Sequence, residues 1–162
     1  AHEGRTGRDL FAEAALGAVF TLPGAPMVYA GQEFGQRGRR DDLAWEHAHE
    51  SLREHVRRLA RVRHEHPALS GSSTATRVEH EVRDGVSDRV TAYELTTDEA
   101  SVLAVLNFDS DPVTVRVPGA GTTDLLTGEA VGSDNGPRST LTVDSVVVIP
   151  VTESVVHRDP DG

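Results

Sequence analysis

The chain has 162 residues, no cysteine and a formal net charge of −10, which suits one ordinary domain or two small ones and excludes disulfide and thiolate chemistry. An acidic chain of this kind repels phosphate groups, so neither nucleic acid nor an anionic membrane surface is an expected partner. All 16 basic residues are Arg. This composition fits a halophilic protein as well as an ordinary acidic surface combined with codon bias.

The first predicted elements are a helix and a short strand. Apolar residues at helical spacing predict an amphipathic helix over residues 9–20, which ends before Pro23 and Gly24. The apolar run 27–30 shows no alternation and predicts a strand covered on both faces, as in a parallel sheet, with Pro26 at its first residue. Gly31 ends the strand and a polar pair, Gln32 and Glu33, follows directly.

A second helix is predicted over residues 47–65, because apolar side chains recur there at intervals of three and four and Pro67 ends the pattern. Its predicted inner face consists of Ala48, Leu52, Val56, Leu59, Ala60 and Arg63. Four further arginines are predicted to form a solvated outer face, namely Arg53, Arg57, Arg58 and Arg61. Trp45 precedes this helix, where we expect it to pack, although stacking on a sugar ring is the alternative.

From Thr74 onward the apolar period changes to two, and turn signals rich in Gly, Pro, Asp and Asn separate short runs. The predicted strands lie around residues 78–82, 90–95, 101–108, 113–117, 124–126, 141–143 and 145–151. Strands of this length and spacing are typical of an antiparallel sandwich. The charged tail from Glu153 is predicted to be disordered.

Four segments then resemble one known family in the order that it uses. Residues 21–35, TLPGAPMVYAGQEFG, resemble the eighth barrel strand of the α-amylase family of glycoside hydrolases. Residues 63–69, RHEHPAL, resemble the end of the last barrel helix in that family. Residues 102–108, VLAVLNF, and residues 124–129, DLLTGE, resemble a strand and a turn of its C-terminal β domain.

The resemblance implies an α+β fold: the last βα unit of a (β/α)8 TIM barrel followed by an antiparallel β-sandwich C-terminal domain. We expect a barrel remnant over residues 1–70, the sandwich over 71–152 and a disordered tail over 153–162. A complete barrel takes about 250 residues. The chain is therefore expected to be the C-terminal piece of a larger enzyme.

The resemblance also implies a retaining glycoside hydrolase acting on α-glucans, whose two catalytic carboxyl groups lie about 5–5.5 Å apart. The family carries these on its fourth and fifth barrel strands, which this sequence does not contain. His2 and Glu3 match the family's Asn-His-Asp motif too poorly to be assigned a role, so no catalytic residue is assigned. The expected partners are an α-glucan or maltodextrin, bound by the complete enzyme, and the missing N-terminal barrel portion.

We expect Gly31, Gln32 and Glu33 to bind substrate, because they match the family pattern residue by residue and would lie on the rim of the glucan cleft. The alternative is that Glu33 pairs with Arg39 or Arg40 and only braces the barrel. For the whole chain, the alternative is a non-catalytic carbohydrate-binding or barrel-capping sandwich module. The predicted sandwich has few aromatic residues, which argues against sugar binding by the sandwich.

Neither a metal ion nor another cofactor is expected. The histidines occur as two pairs, His47 with His49 and His64 with His66. Members of each pair are two residues apart and would point to different faces of a helix. The sequence also lacks the spacing of a zinc-binding H-E-x-x-H motif.

Overall fold

The computed structural model describes residues 6–36, 49–134 and 136–151. In these ranges helix α1 (Gly7–Thr21) and helix α2 (Glu50–Glu65) precede all of the strands. The strands are β1 (Thr74–Arg77), β2 (Glu81–Asp84), β3 (Val90–Thr96), β4 (Ser101–Asn107), β5 (Val113–Pro118), β6 (Gly132–Asp134), β7 (Arg138–Val143) and β8 (Val146–Pro150). Neither helix has the length and apolar character that crossing a membrane would require, as judged over the described residues.

Both predicted helices are confirmed, and α1 begins at a side-chain cap. Thr6 and Asp9 form a reciprocal capping box at the start of α1, which satisfies backbone N–H groups that have no partner within the helix. Helix α2 ends at Glu65, before Pro67, as predicted. Its buried residues are Leu52, Leu59 and Val62, whereas Ala60, predicted to face inward, is exposed.

The strands form two antiparallel sheets of four. The first sheet has the order β1-β3-β4-β8, and the second has the order β2-β5-β7-β6. Chain neighbours β3 and β4 pair directly, from Val90 opposite Asn107 to Thr96 opposite Ser101. The predicted antiparallel sandwich is therefore present, although β1 and β6 were not predicted.

The helices, the first sheet and the second sheet form three layers, and two apolar clusters lie between them. One lies between the two sheets and includes Leu103 and Val105 of β4. The other lies between the helices and the opposite face of the first sheet, and it joins Phe20 and Leu59 to Leu106. Strand β4 is therefore buried on both faces, which explains why its sequence, SVLAVLN, reads as a continuous apolar run.

Two predicted strands are absent, and the strand predicted over residues 78–82 begins only at Glu81. Residues 25–29 adopt no regular secondary structure, and Met27 and Tyr29 are 71% and 66% exposed. A strand in a parallel sheet needs hydrogen-bonded neighbours, and both sheets of the described residues are built from strands after Thr74. Residues 124–126 lie in a turn, because the Asp124 carboxylate binds nearby backbone N–H groups and curls the chain around itself.

Candidate functional site

The candidate site is the Gly31 turn, residues 31–35, which follows the irregular segment 22–30. A short 3-10 helix, Gln32–Phe34, is bounded by Gly31 with a φ of 94° and by Gly35 with a φ of 78°. These left-handed values favour glycine. A Cβ at position 31 would also lie 2.8 Å from Cβ of Gln36. The turn therefore explains glycine at position 31.

The two polar side chains of the turn fold back on its backbone. Glu33 Oε2 accepts a hydrogen bond of 2.8 Å from the Gly31 N–H, and Gln32 Oε1 accepts one of 2.8 Å from the Tyr29 N–H. Each side chain thus uses one oxygen locally. The Gln32 amide nitrogen and Glu33 Oε1 have no hydrogen-bond partner among the described residues, which leaves one donor and one acceptor at the turn.

The turn is anchored to the rest of the protein through Phe34, which is fully buried. The Phe34 carbonyl accepts a hydrogen bond of 3.1 Å from the His49 N–H, just before α2. The Gly31 carbonyl accepts one of 2.9 Å from the Gln36 N–H. Gly31 is buried, whereas Gln32 is exposed and Glu33 is partly exposed. The structure therefore keeps the three predicted site residues together in one turn, with the Gln32 and Glu33 side chains at the surface and Gly31 buried beneath them.

Several other predicted candidates lie outside the described residues, namely His2, Glu3, Arg39, Arg40, Trp45 and His47. Within the described ranges, no group of three or more His, Asp or Glu residues is placed to hold a metal ion. His66 instead caps a 3-10 helix, because its Nδ1 accepts a hydrogen bond of 3.3 Å from the Ala68 N–H. Burial lowers the pKa of His66, which favours the neutral ring that can accept this bond.

The arginines of α2 divide into two groups. Arg53, Arg57 and Arg58 form exposed ion pairs with Glu50 and Glu54, as expected for a solvated face. Two others reach across to different elements, which is a role that their spacing in the sequence does not indicate. Arg61 Nη2 donates a hydrogen bond of 3.2 Å to the Leu126 carbonyl in the sandwich, and Arg63 donates to backbone carbonyls at the end of α1.

A separate region, not predicted from the sequence, is a cleft of about 710 Å³ between the helices and the loop that precedes β6. Glu13, only 2% exposed, accepts a hydrogen bond of 2.7 Å from Ser145 Oγ. Nε2 of His55 lies 3.1 Å from the Glu13 carbonyl oxygen. These polar groups bind one another across elements, so we interpret the cleft lining as a structural link between the helices and the sandwich.

Asp124 is the other buried carboxylate that lines this cleft. Its oxygens accept hydrogen bonds from the Val148 N–H at 2.9 Å, the Leu126 N–H at 3.2 Å and the Thr127 hydroxyl at 3.1 Å. Burial raises the pKa of Asp124, while these hydrogen bonds oppose the shift. The side chain therefore organises the DLLTGE turn and joins it to β8.

Comparison with known proteins identifies the relatives of this chain. No family model matches the sequence. Alpha-amylase MalA of Haloarcula japonica is 57% identical over 149 residues, which cover 91% of this chain and 22% of MalA. The chain is homologous to the C-terminal part of alpha-amylases. The acidic composition fits this Haloarcula relative and the expectation of a halophilic protein.

Solved alpha-amylases share the fold. The noncanonic maltogenic alpha-amylase AmyB of Thermotoga neapolitana matches 93% of this chain with a TM-score of 0.69 and 15% identity, over 40% of its own length. A variant of AmyP in complex with maltotriose matches 94% with a TM-score of 0.72 and 15% identity, over 36% of its length. The chain thus spans less than half of each solved relative and about a fifth of MalA.

Proposed function

We propose that this chain acts as the C-terminal part of an α-amylase-type retaining glycoside hydrolase that acts on α-glucans. The observation that carries the proposal is the 57% identity to alpha-amylase MalA along 91% of the chain. In this proposal the catalytic carboxylates belong to the part of the longer polypeptide that precedes the matched region. The 162-residue chain by itself is then inactive.

The proposal includes a barrel remnant over residues 1–70, and the surface of this region supports it. Helix α1 carries apolar residues on more than one side: Leu10 and Ala14 are buried, while Phe11 and Val19 are 54% and 40% exposed. A helix that is apolar all round is typical of one buried on both sides. Together with exposed Met27 and Tyr29 of the following segment, these side chains offer an apolar surface for the remaining barrel to cover.

We further propose that Gln32 and Glu33 bind a sugar hydroxyl in the complete enzyme. The Gln32 amide nitrogen is a donor and Glu33 Oε1 is an acceptor, and a hydroxyl group can satisfy both. The Gly31 turn fixes their directions, because their other oxygens bind the backbone. One of the solved relatives was crystallised with maltotriose, which is the class of ligand that we propose for this turn.

A barrel-capping module is the alternative, and the apolar cluster shared by the helices and the first sheet favours it. Capping is compatible with the proposal above. A carbohydrate-binding role for the sandwich is less well supported. Tyr93 is only 8% exposed, and Phe108 packs against Phe11 with ring centroids 5.5 Å apart. Neither ring therefore offers the open face that stacks on sugars.

The proposal is tested by comparing the 162-residue chain with the longer gene product that contains it. Hydrolysis of starch, maltodextrin and an activated aryl α-glucoside would be measured in low and in molar salt. We expect turnover by the longer protein and none by the short chain, because the nucleophile and the acid/base act as a unit. Genuine turnover by the short chain would contradict the proposal.

The role of the turn is tested in the longer enzyme by Glu33→Gln. Glutamine keeps an oxygen for the Gly31 N–H but replaces the second acceptor by a donor. We expect kcat/KM for maltodextrin to fall by about tenfold, equivalent to roughly 1.4 kcal/mol for one lost hydrogen bond. Glu99→Gln, at an exposed turn between β3 and β4, is the matched control. Equal kcat/KM for the two variants would rule out substrate binding by Glu33.

A further inference from the structure

The segment between α1 and the Gly31 turn, residues 22–30, contains neither helix nor strand, so contacts from other elements must fix its backbone. The side chain of Arg63, in the last turn of α2, supplies two of them and makes a third contact with the end of α1. Its Nη1 donates to the Phe20 carbonyl at 2.6 Å and to the Leu22 carbonyl at 3.2 Å. Its Nη2 donates to the Gly24 carbonyl. One guanidinium group thus joins the end of α1 to the start of the segment.

The chemistry of these contacts suits arginine. The last carbonyls of a helix have no partner within it and form the negative end of its dipole. Helix α1 has no basic residue in its own last turn, so Arg63 of α2 provides the positive charge there. A planar guanidinium presents several N–H groups in a fixed fork, whereas the ammonium group of lysine is a single point of charge. Arg63 therefore binds its three carbonyls from two separate nitrogens in fixed directions, whereas lysine would have to bind them from one nitrogen.

The start of the same helix holds the Gly31 turn that follows the segment. The His49 N–H, at the start of α2, donates to the Phe34 carbonyl at 3.1 Å. Near Arg63, the Gly24 N–H donates to the Gly71 carbonyl at 3.3 Å. Val28, midway along, packs against the apolar cluster between the helices and the first sheet. The path of residues 22–34 is thus set from both ends of α2.

We propose that Arg63 is a positioning residue for the Gly31 turn: by fixing the carbonyls at the start of the segment, it sets where Gln32 and Glu33 are presented. What the turn binds rests on the proposed function. The positioning does not, because it is measured on the backbone of the chain itself.

The experiment uses the 162-residue chain labelled with ¹⁵N and compares Arg63→Gln, Arg63→Lys and the control Arg57→Gln. Arg57 lies on the same helix but forms only exposed ion pairs with Glu50 and Glu54, which contribute little to stability. Amide shifts and hydrogen exchange would be recorded for Gly24 and Gly31. The buried β4 residue Val105 reports on global unfolding in the same spectra.

In Arg63→Gln we expect exchange of the Gly24 and Gly31 amides to increase by about tenfold or more, as for loss of hydrogen bonds to a charged group. The Gly31 amide resonance should also move, because this N–H donates to Glu33 Oε2. Arg63→Lys should give an intermediate change in both readouts. Arg57→Gln should leave them unchanged, and Val105 should stay protected throughout.

If Arg63→Gln changes Gly24 but leaves Gly31 at the wild-type shift and exchange rate, Arg63 only closes the end of α1 and the inference is wrong. If Arg63→Gln exposes Val105 as well, Arg63→Lys decides: an unchanged Gly31 resonance in that variant overturns the inference. Failure of Glu33→Gln to affect the longer enzyme would refute glucan binding at the turn, but it would leave these amide measurements valid.

Discussion

Asn107, at the end of β4, is a fully buried polar residue on which the sandwich depends. Its side-chain oxygen accepts a hydrogen bond of 2.9 Å from the Asp109 N–H. Its Nδ2 donates to three carbonyls, those of Asp111 at 2.8 Å, Val143 at 3.2 Å and Asp144 at 3.0 Å. Asn107 therefore ties the end of β4 to the turn before β5 and to the turn between β7 and β8.

We expect Asn107→Asp to destabilise the protein more than Asn107→Ala does. Alanine removes the donor to these three carbonyls and the acceptor of the Asp109 N–H, and one buried group left unsatisfied costs about 1–3 kcal/mol. Aspartate has nearly the size of asparagine but no donor, so its charge would face three carbonyl oxygens. An uncompensated buried charge costs about 3–5 kcal/mol. The expected losses are thus about 2 kcal/mol for alanine and about 4 kcal/mol for aspartate.

The assay is urea unfolding at pH 7, with the free energy of unfolding extrapolated to water. Ser110→Ala is the control, because Ser110 lies exposed in the same turn, where substitutions usually change stability by less than about 0.5 kcal/mol. If Asn107→Asp unfolds within about 1 kcal/mol of the wild type, or less readily than Asn107→Ala, then the hydrogen bonds of Asn107 do not hold these turns.

Two further predictions concern buried or constrained turns. Asp124→Ala should lower the free energy of unfolding at pH 7 by about 3 kcal/mol, because it leaves buried N–H groups unpaired. Asp124→Asn keeps an acceptor and should stay within about 1 kcal/mol of the wild type. Gly31→Ala should speed hydrogen exchange of the Gln36 amide, which donates to the carbonyl of residue 31. This acceleration should exceed the one that Gly24→Ala causes at the amide of residue 24, which donates to the Gly71 carbonyl. Both glycines have positive φ, but only at Gly31 would a Cβ collide with neighbouring atoms.

The difference in stability between the wild type and Asp124→Asn should also depend on pH. Because burial raises its pKa above 3.8, the folded chain holds the Asp124 proton more tightly than the unfolded chain does. The contribution of this group to stability is therefore present below pH 3.8 and is lost as the pH rises through the raised pKa. The wild type should lose stability relative to Asp124→Asn over that pH range, and a constant difference would refute the upward direction of the pKa shift.

For the glycine variants, equal acceleration of amide exchange in Gly31→Ala and Gly24→Ala would show that the collision at Gly31 is relieved at little cost.

The sequence predicts the helices and most sandwich strands because their burial follows a local period. Strand β4 is recognised instead by one continuous apolar block: all seven residues pair with β3, and Val102 to Leu106 also pair with β8. The strand predicted over residues 27–30 is absent. An apolar run indicates that a segment can be buried, but it does not identify the element that would bury it. The prediction failed for Leu125 and Leu126 because the neighbouring Asp124 side chain bends the backbone there.

The candidate site was predictable as a set of residues but not as a geometry. Family resemblance pointed to Gly31, Gln32 and Glu33, whereas their mutual hydrogen bonds depend on a left-handed glycine that no periodicity reveals. Arg63 was placed on the inner face of α2 for its spacing alone. Its partners lie about 40 residues earlier in the chain, and a single sequence contains no signal for such a distant backbone contact.

The predicted division at residue 70 can be weighed against the bonds that cross it. The Thr21 hydroxyl at the end of α1 lies 2.5 Å from the Tyr93 hydroxyl of β3, and burial raises the pKa of Tyr93. The Glu13 carboxylate binds Ser145, 132 residues away, and Arg61 binds the Leu126 carbonyl. Each bond is buried or partly buried and joins a helix to the sandwich. Separating the helices from the first sheet would break these bonds and would also expose the apolar cluster that both share, so it should cost free energy in proportion to the apolar area exposed. The Gly31 turn is then joined to a helix that is itself bonded to the sandwich, so a change in the sandwich can reach the candidate site through α2.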